Sequence, residues 1–250
     1  MRAGVGHERA ARAVEAALRT LDPSCQPIVR DALEFASPFL RTFYASSYNR
    51  LVDRVPRVWG FFYRRAEKIP ALSLRQRVRS ALLAAGCRDF ATATRRFEAD
   101  VVLCTQFLPA EVFALLRQRG EVKVPVCCAV TDFSIHPIWV YPGIDHYFVA
   151  TDAAREQLVE TGVVSGERIE VTGVPIDPRF ATGVGREAAR RELGLDPDPR
   201  RLTLLLMGGG FGWGPMEGML EEVLRLPESV QALVIAGKNE ALRERLAKRV

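Results

Sequence analysis

The sequence contains no run of about 18 apolar residues, so nothing in it reads as a helix able to cross a bilayer. Its opening residues also lack a secretory signal pattern. Histidine is scarce, with only His7, His136 and His146. The five cysteines (Cys25, Cys87, Cys104, Cys127 and Cys128) are odd in number and have no metal-ligand spacing. That argues against a disulfide scaffold or a zinc module and fits reduced thiols in a cytoplasmic protein. Cys127-Cys128 lies in an apolar run and reads as strand core. What is present is ordinary globular composition, 48% hydrophobic and 26% charged over 250 residues, with a net charge of +5. Such a charge suits anionic partners: nucleic acid, lipid headgroups or nucleotide phosphates.

Apolar periodicity predicts a first helix over about His7 to Leu21, with Ala11, Val14, Leu18 and Leu21 at helical spacing and Asp22-Pro23 ending it. Gly4-Val5-Gly6 before it is a glycine turn opening a helix, a turn that normally follows a buried strand; only Met1-Arg2-Ala3 precede it, so a first strand is expected to be missing. Pro27 to Leu33 reads as a strand, and residues 38–97 as helices broken at Pro56 and Pro70. Asp100–Thr105, Val124–Val130, Tyr147–Ala150 and Arg168–Val171 are short apolar runs between turns, the pattern of parallel strands buried on both faces. With a helix over about 152–162, they predict a βα repeat and a doubly wound α/β sheet. Gly173 to Pro178 reads as a connector. Beyond a helix near 186–194 a new unit begins: strand 202–206, glycine loop 207–214, helix 215–225, strand 231–236 and helix 239–249. Two βα units do not close a core alone, so this second domain is expected to be incomplete.

Two stretches carry chemistry. Val130-Thr131-Asp132-Phe133, with His136, follows a strand, and ligands of open α/β sheets bind beyond the carboxyl ends of strands. His7, beside a helix N-terminus, is favoured as a neutral ring that can accept a proton; the plainer reading is a histidine capping the helix. Asp132 can orient His7 or act as the base, and His136 can position an acceptor; either is equally readable as a polar anchor of its loop. Asp145 and His146 read as stabilisers of the turn before the next strand. The second stretch is Gly208, Gly209, Gly210, Phe211, Gly212 and Gly214, with Pro215 opening a helix. Its glycines let backbone N–H groups approach a phosphate, and a tight turn without a ligand is the alternative. The spacing is not that of a dinucleotide fingerprint, and no acidic residue closely follows the next strand.

These segments, together with Ser37-Pro38-Phe39-Leu40, Asp145 to Ala150 and Val171-Thr172-Gly173-Val174-Pro175, resemble in order the monogalactosyldiacylglycerol synthase and processive diacylglycerol glucosyltransferase family. The resemblance implies a GT-B glycosyltransferase related to the peptidoglycan-precursor N-acetylglucosaminyltransferase. It implies an acceptor-binding Rossmann-like domain over 1–176 lacking its first strand, and the truncated start of a nucleotide-sugar domain over 177–250. It further implies inverting transfer of a hexose from UDP-glucose or UDP-galactose to diacylglycerol, with His7 as base and the 208–214 loop holding the diphosphate. No metal-ligand set is visible and no cofactor is implied; helix N-termini take the place of a cation.

Residues 35–68 hold nine aromatics and seven basic residues against two acidic ones. Phe35, Phe39 and Phe43 fall at i, i+4 and i+8 of one helical face. Phe39, Phe43, Tyr44, Trp59 and Phe62, flanked by Arg54, Arg57 and Arg64, suit an anionic lipid interface; a solvated arginine face over core aromatics is the alternative. The resemblance favours the membrane, hence a peripheral protein on the inner face of the cell membrane. No RNA-binding motif accompanies the arginines, so nucleic acid is not an expected partner. Oligomeric state is not legible. Transfer to another lipid-linked acceptor, or a non-catalytic lipid-binding remnant, are the competing readings.

Overall fold

A computed structural model of the chain describes residues 5–38, 41–42, 83, 86–87, 89–198, 200–226 and 230–249. The chain divides into two compact units, Met1–Phe180 and Ala181–Val250.

The first unit is built on four parallel strands: β1 (Val102–Cys104), β2 (Val126–Ala129), β3 (His146–Val149) and β4 (Ile169–Val171), hydrogen-bonded in that order. Around them stand α1 (Val5–Leu21), α2 (Asp89–Arg96), α3 (Phe107–Gln118) and α4 (Asp152–Glu160). The strands fall where the apolar runs predicted them. In register, Cys104, Cys128 and Tyr147 make one buried row across the sheet. Burial pushes the Cys104 and Cys128 thiols well above their usual range, so they remain protonated core groups.

The β2-to-β3 connection contains no α-helix. Residues 130–145 cross the sheet as loop and a 3-10 turn at Pro137–Trp139, and they bury Trp139, Val140, Tyr141 and Ile144. Tyr147 closes this cover from below: its hydroxyl donates to the Trp139 carbonyl at 2.9 Å and accepts the Tyr141 N–H at 3.0 Å. Asp145 fixes the far end, accepting the Val126 N–H at 2.8 Å and a two-pronged contact from Arg117. It is the turn stabiliser expected of it.

Three expectations need correction. Pro27–Leu33 is not a strand; the chain runs without regular structure into a 3-10 turn at Ala32–Phe35, started by the Asp31 carboxylate accepting the Leu33 N–H at 3.0 Å. Local capping by a short acidic side chain outcompetes strand pairing there. No helical face runs on from Phe35, because Ala36 is extended, in keeping with the bias against helix ahead of Pro38; Phe39 and Phe43 lie outside the described residues. Phe35 instead packs edge-on against Phe90 at 5.9 Å and Phe97 at 6.2 Å. In α1 the fully buried seam is Ala10 and Ala13, whereas Leu18 and Leu21 are exposed. Small residues let this helix lie close to its neighbours.

The second unit has a two-stranded parallel sheet, β5 (Leu202–Met207) with β6 (Val230–Ile235), and helices α5 (Arg186–Glu192), α6 (Met216–Leu224) and α7 (Glu240–Ala247). Leu206, Met216, Leu220, Ala236, Leu242 and Leu246 form its core. Buried Arg190 of α5 ties down the loop that follows the helix, through the carbonyls of Asp196, Asp198 and Arg201, and reaches the Thr203 hydroxyl of β5.

Candidate functional site

In the first unit the polar side chains gather beyond the carboxyl ends of β1 and β2. Thr105, one residue past β1, donates its hydroxyl to the His7 carbonyl at 2.9 Å and so pins the first turn of α1 to the sheet edge. Thr131, two residues past β2, meets His7 Nδ1 through its hydroxyl at 2.8 Å. The imidazole stands edge-on to the buried Trp139 ring at 6.0 Å, and Phe107 touches the same indole at 5.9 Å.

Asp132 does not touch the His7 ring. Its carboxylate accepts the Trp139 indole N–H at 2.8 Å, fixing the base of the crossover loop. Asp132 still acts on His7 through its charge. Burial lowers the His7 pKa below 6.5, while the Asp132 carboxylate and a hydrogen-bonding contact of the ring with the Thr105 main chain partly offset that fall. The net direction leaves a neutral ring at neutral pH, which is the form a general base needs.

His136 is buried beneath the loop, capping the 3-10 turn by accepting the Ile138 N–H on Nδ1 at 3.1 Å. This geometry is that of the loop anchor. Phe133 at the loop tip is 73% exposed, and the Ile135 N–H is held by Gln157 of α4 at 2.8 Å. The structure thus brings His7 and Asp132 together around Trp139. Thr105, Thr131 and Trp139 complete the cluster, and none of the three stands out in the sequence as a partner of His7. The Thr-Asp pair at a strand's end was the one available signal.

The glycine run of the second unit leaves β5 at Gly208, forms a 3-10 turn at Gly209–Phe211, turns left-handed at Gly212 and enters α6 through Pro215. Much of its glycine content serves packing. A Cβ on Gly208 would lie 2.5 Å from the Trp213 carbonyl, and one on Gly212 would lie 2.5 Å from that of Ala236. The Gly210 carbonyl accepts the Lys238 N–H at 2.8 Å, and the Phe211 carbonyl accepts from the Asn239 amide at 3.4 Å. Gly209 and Gly214, by contrast, have open space where a side chain would be. Phe211 and Trp213 stack at 5.5 Å.

Beside the run lies an open cleft of about 390 Å³, bordered by Gly212, Gly214, Pro215 and the first turn of α6, and by Asn239, the cap of α7, and Arg245 within α7. Glu217 also borders it, and its ion pair with Arg245 holds its carboxyl below the usual range. Arg245 and Asn239 were not among the residues expected at this site. Asn239 caps α7 and Arg245 lies within it, both well past the glycine motif in sequence.

Phe39, Phe43, Tyr44, Arg54, Arg57, Trp59, Phe62 and Arg64 lie outside the described residues. Arg41, at the start of that stretch, is described and donates to the Leu33 and Glu34 carbonyls. Among the described residues no helix is long and apolar enough to cross a membrane, and no group of three or more His, Cys, Asp or Glu is placed to hold a metal ion.

Residues 7–176 match the monogalactosyldiacylglycerol (MGDG) synthase family, a stretch running from His7 through the whole His7–Trp139 cluster. The chain belongs to that family. Its fold is α/β, with a parallel sheet in each of the two units. This MGDG synthase family member is 35% identical over 148 residues to a processive diacylglycerol beta-glucosyltransferase of Bacillus pumilus (strain SAFR-032), covering 59% of this chain and 37% of the relative. It is 26% identical over 188 residues to the protein of the same name from Staphylococcus aureus (strain JH9), covering 75% and 45%. The chain therefore spans less than half the length of these curated relatives. Among solved structures, the apo form of the lipopolysaccharide outer core galactosyltransferase WaaB aligns with 69% of this chain and 46% of its own, at 14% identity and a TM-score of 0.41.

Proposed function

We propose that this chain takes part in glycolipid synthesis as a glycosyltransferase, moving a hexose from UDP-glucose or UDP-galactose to the 3-hydroxyl of diacylglycerol. The observation that carries this reading is His7: a half-buried imidazole with a lowered pKa, anchored at the edge of a parallel sheet inside the family-matched stretch.

In the proposed reaction the hydroxyl of the acceptor gives its proton to His7 as its oxygen attacks the anomeric carbon. The bond from that carbon to the diphosphate oxygen breaks with its electron pair, UDP departs, and the anomeric configuration inverts. The first unit binds the acceptor. The second contributes to the donor site, where the backbone N–H groups of the 208–214 run and the start of α6 meet the diphosphate charge. Asp132 tunes His7, and His136 holds the loop that carries both Asp132 and Trp139. No metal or other cofactor enters this scheme. The acceptor is a membrane lipid, so the proposed location is peripheral, at the inner face of the cell membrane, with residues 39–64 as the contact.

The test is transfer from labelled UDP-glucose and UDP-galactose to diacylglycerol in mixed micelles, run beside a UDP thermal-shift titration. Glycosyl-diacylglycerol formed by the chain and abolished by His7→Ala supports the reading. Transfer that survives His7→Ala removes His7 as base. Binding to anionic liposomes with neither UDP stabilisation nor transfer overturns the enzyme and favours a lipid-binding module.

A further inference from the structure

We infer that Thr131 is a positioning residue for His7: its hydroxyl oxygen accepts Nδ1–H and holds the ring in the tautomer that leaves Nε2 free to take a proton. This inference rests on the reading of His7 as the base.

The geometry that supports it is a three-point fixation. The His7 backbone is tied to β1 by Thr105, Nδ1 is met by Thr131 at 2.8 Å, and the ring plane is set against Trp139 at 61°. Thr131 is itself well placed to aim a ring. It follows Val130, whose N–H donates to the Phe148 carbonyl of β3 at 2.9 Å, and its branched Cβ restricts it to few rotamers. A hydroxyl so held offers a fixed lone pair to Nδ1–H.

The residue a reader of the sequence would pair with His7 is Asp132, the neighbouring carboxylate. Its geometry points elsewhere, because the carboxylate is engaged by the Trp139 indole. The division of labour follows from side-chain charge. A carboxylate bonded directly to Nδ1–H would stabilise the imidazolium strongly and keep the ring protonated over a wider pH range. A neutral hydroxyl fixes the same tautomer without that effect. Thr131 thus sets which nitrogen is free, and Asp132, acting through its field, sets how readily that nitrogen takes a proton. From the packed elements the ring is faced by the Asp132 carboxylate, the Thr105 main chain, the Thr131 hydroxyl and the Trp139 indole.

A hydroxyl can also donate. Were Thr131 to donate to Nδ1, the proton of a neutral ring would sit on Nε2, and His7 could not act as the base through that nitrogen. The two arrangements share the same heavy-atom positions and differ in a measurable property.

The experiment is long-range ¹H–¹⁵N correlation spectroscopy on the full chain labelled with ¹⁵N-histidine, at a pH where His7 is neutral, with His7→Gln to assign its signals among the three histidines. The expected result is Nδ1–H for His7 in the wild type, a mixed or Nε2–H population in Thr131→Val, and restoration in Thr131→Ser. In the transfer assay Thr131→Val should lower kcat about 10- to 100-fold with little change in the KM for the UDP-sugar. Thr131→Ser should recover most of that loss. A wild-type Nε2–H tautomer, or a tautomer unchanged in Thr131→Val, overturns the inference. Thr131→Ser also guards against misfolding, since it keeps the hydroxyl while altering the packing. The tautomer reading does not depend on turnover. Nδ1–H lost in Thr131→Val, in a chain that transfers no sugar, therefore upholds the contact while the transferase reading falls.

Discussion

The Asp132 carboxylate accepts the indole N–H of Trp139 at 2.8 Å, joining the residue just past β2 to a fully buried ring of the crossover loop. This one bond couples loop architecture to the electrostatics at His7, and the two roles can be separated. Asp132→Asn keeps an oxygen for the indole but removes the charge that raises the His7 pKa. The expected outcome is a near-native melting temperature with the His7 pKa lowered further, read by NMR titration. Asp132→Ala leaves a buried indole N–H unmatched and should cost about 1–3 kcal/mol in chemical denaturation.

The lowered pKa of His7 makes stability depend on pH in a definite direction. The unfolded chain holds a histidine proton more readily than the folded one, so this contribution is fully present above pH 6.5. It declines as pH falls through 6.5 towards the folded pKa, then levels off. Urea denaturation of the wild type should show that decline, and His7→Gln should lack it. The acidic limb of the kcat/KM profile is expected below pH 6.5.

Two glycines of the 208–214 run should respond differently to alanine. Gly212 has φ +63° and a backbone carbonyl 2.5 Å from where its Cβ would stand, so strain and clash add. Gly212→Ala is expected to destabilise the second unit by about 3 kcal/mol or more. Gly209, at φ +66° with open space around its Cβ position, carries only the conformational cost of about 1–2 kcal/mol. If the run approaches a diphosphate, Gly209→Ala should weaken UDP binding measured by calorimetry, beyond its modest effect on folding.

Asp145 anchors the start of β3 to the Val126 N–H and to Arg117. Burial alone would raise its pKa, but the Arg117 and Val126 hydrogen bonds outweigh that and hold it below 3.8. Its contribution is therefore present above the unfolded value and lost as pH falls towards the folded one. Asp145→Ala should lower stability at neutral pH by about 1–3 kcal/mol. The deficit relative to wild type should shrink in acid.

Most of the secondary structure was legible because β1 to β6 all fall on short apolar runs between turns. Burial on both faces holds best for the central β2 and β3, and Leu103, Val171, Leu205 and Met207 of the other strands are exposed. Pro27–Leu33 has the composition of a strand but pairs with no strand among the described residues, and Asp31 supplies a local alternative. The α1 seam was misjudged by its large residues: Leu18 and Leu21 are exposed, while Ala10 and Ala13 make the close contact. His7 and Asp132 were legible as candidates, since a histidine at a helix start and a carboxylate past a strand are local patterns. Their partners were not. His7 and Thr131 are 124 residues apart, and no spacing rule reaches across that distance.

The sequence by itself determined the alternation of strands and helices, the glycine turn into α6 and the residue types available for proton transfer and anion binding, because each depends on neighbours within a few positions. Tertiary structure decided what those residues do. It gave Asp132 to the indole instead of the imidazole, Thr131 to His7, and Gly212 to close packing against the turn after β6. Each outcome depends on which strand ends lie side by side, and that is set by burial of the whole sheet.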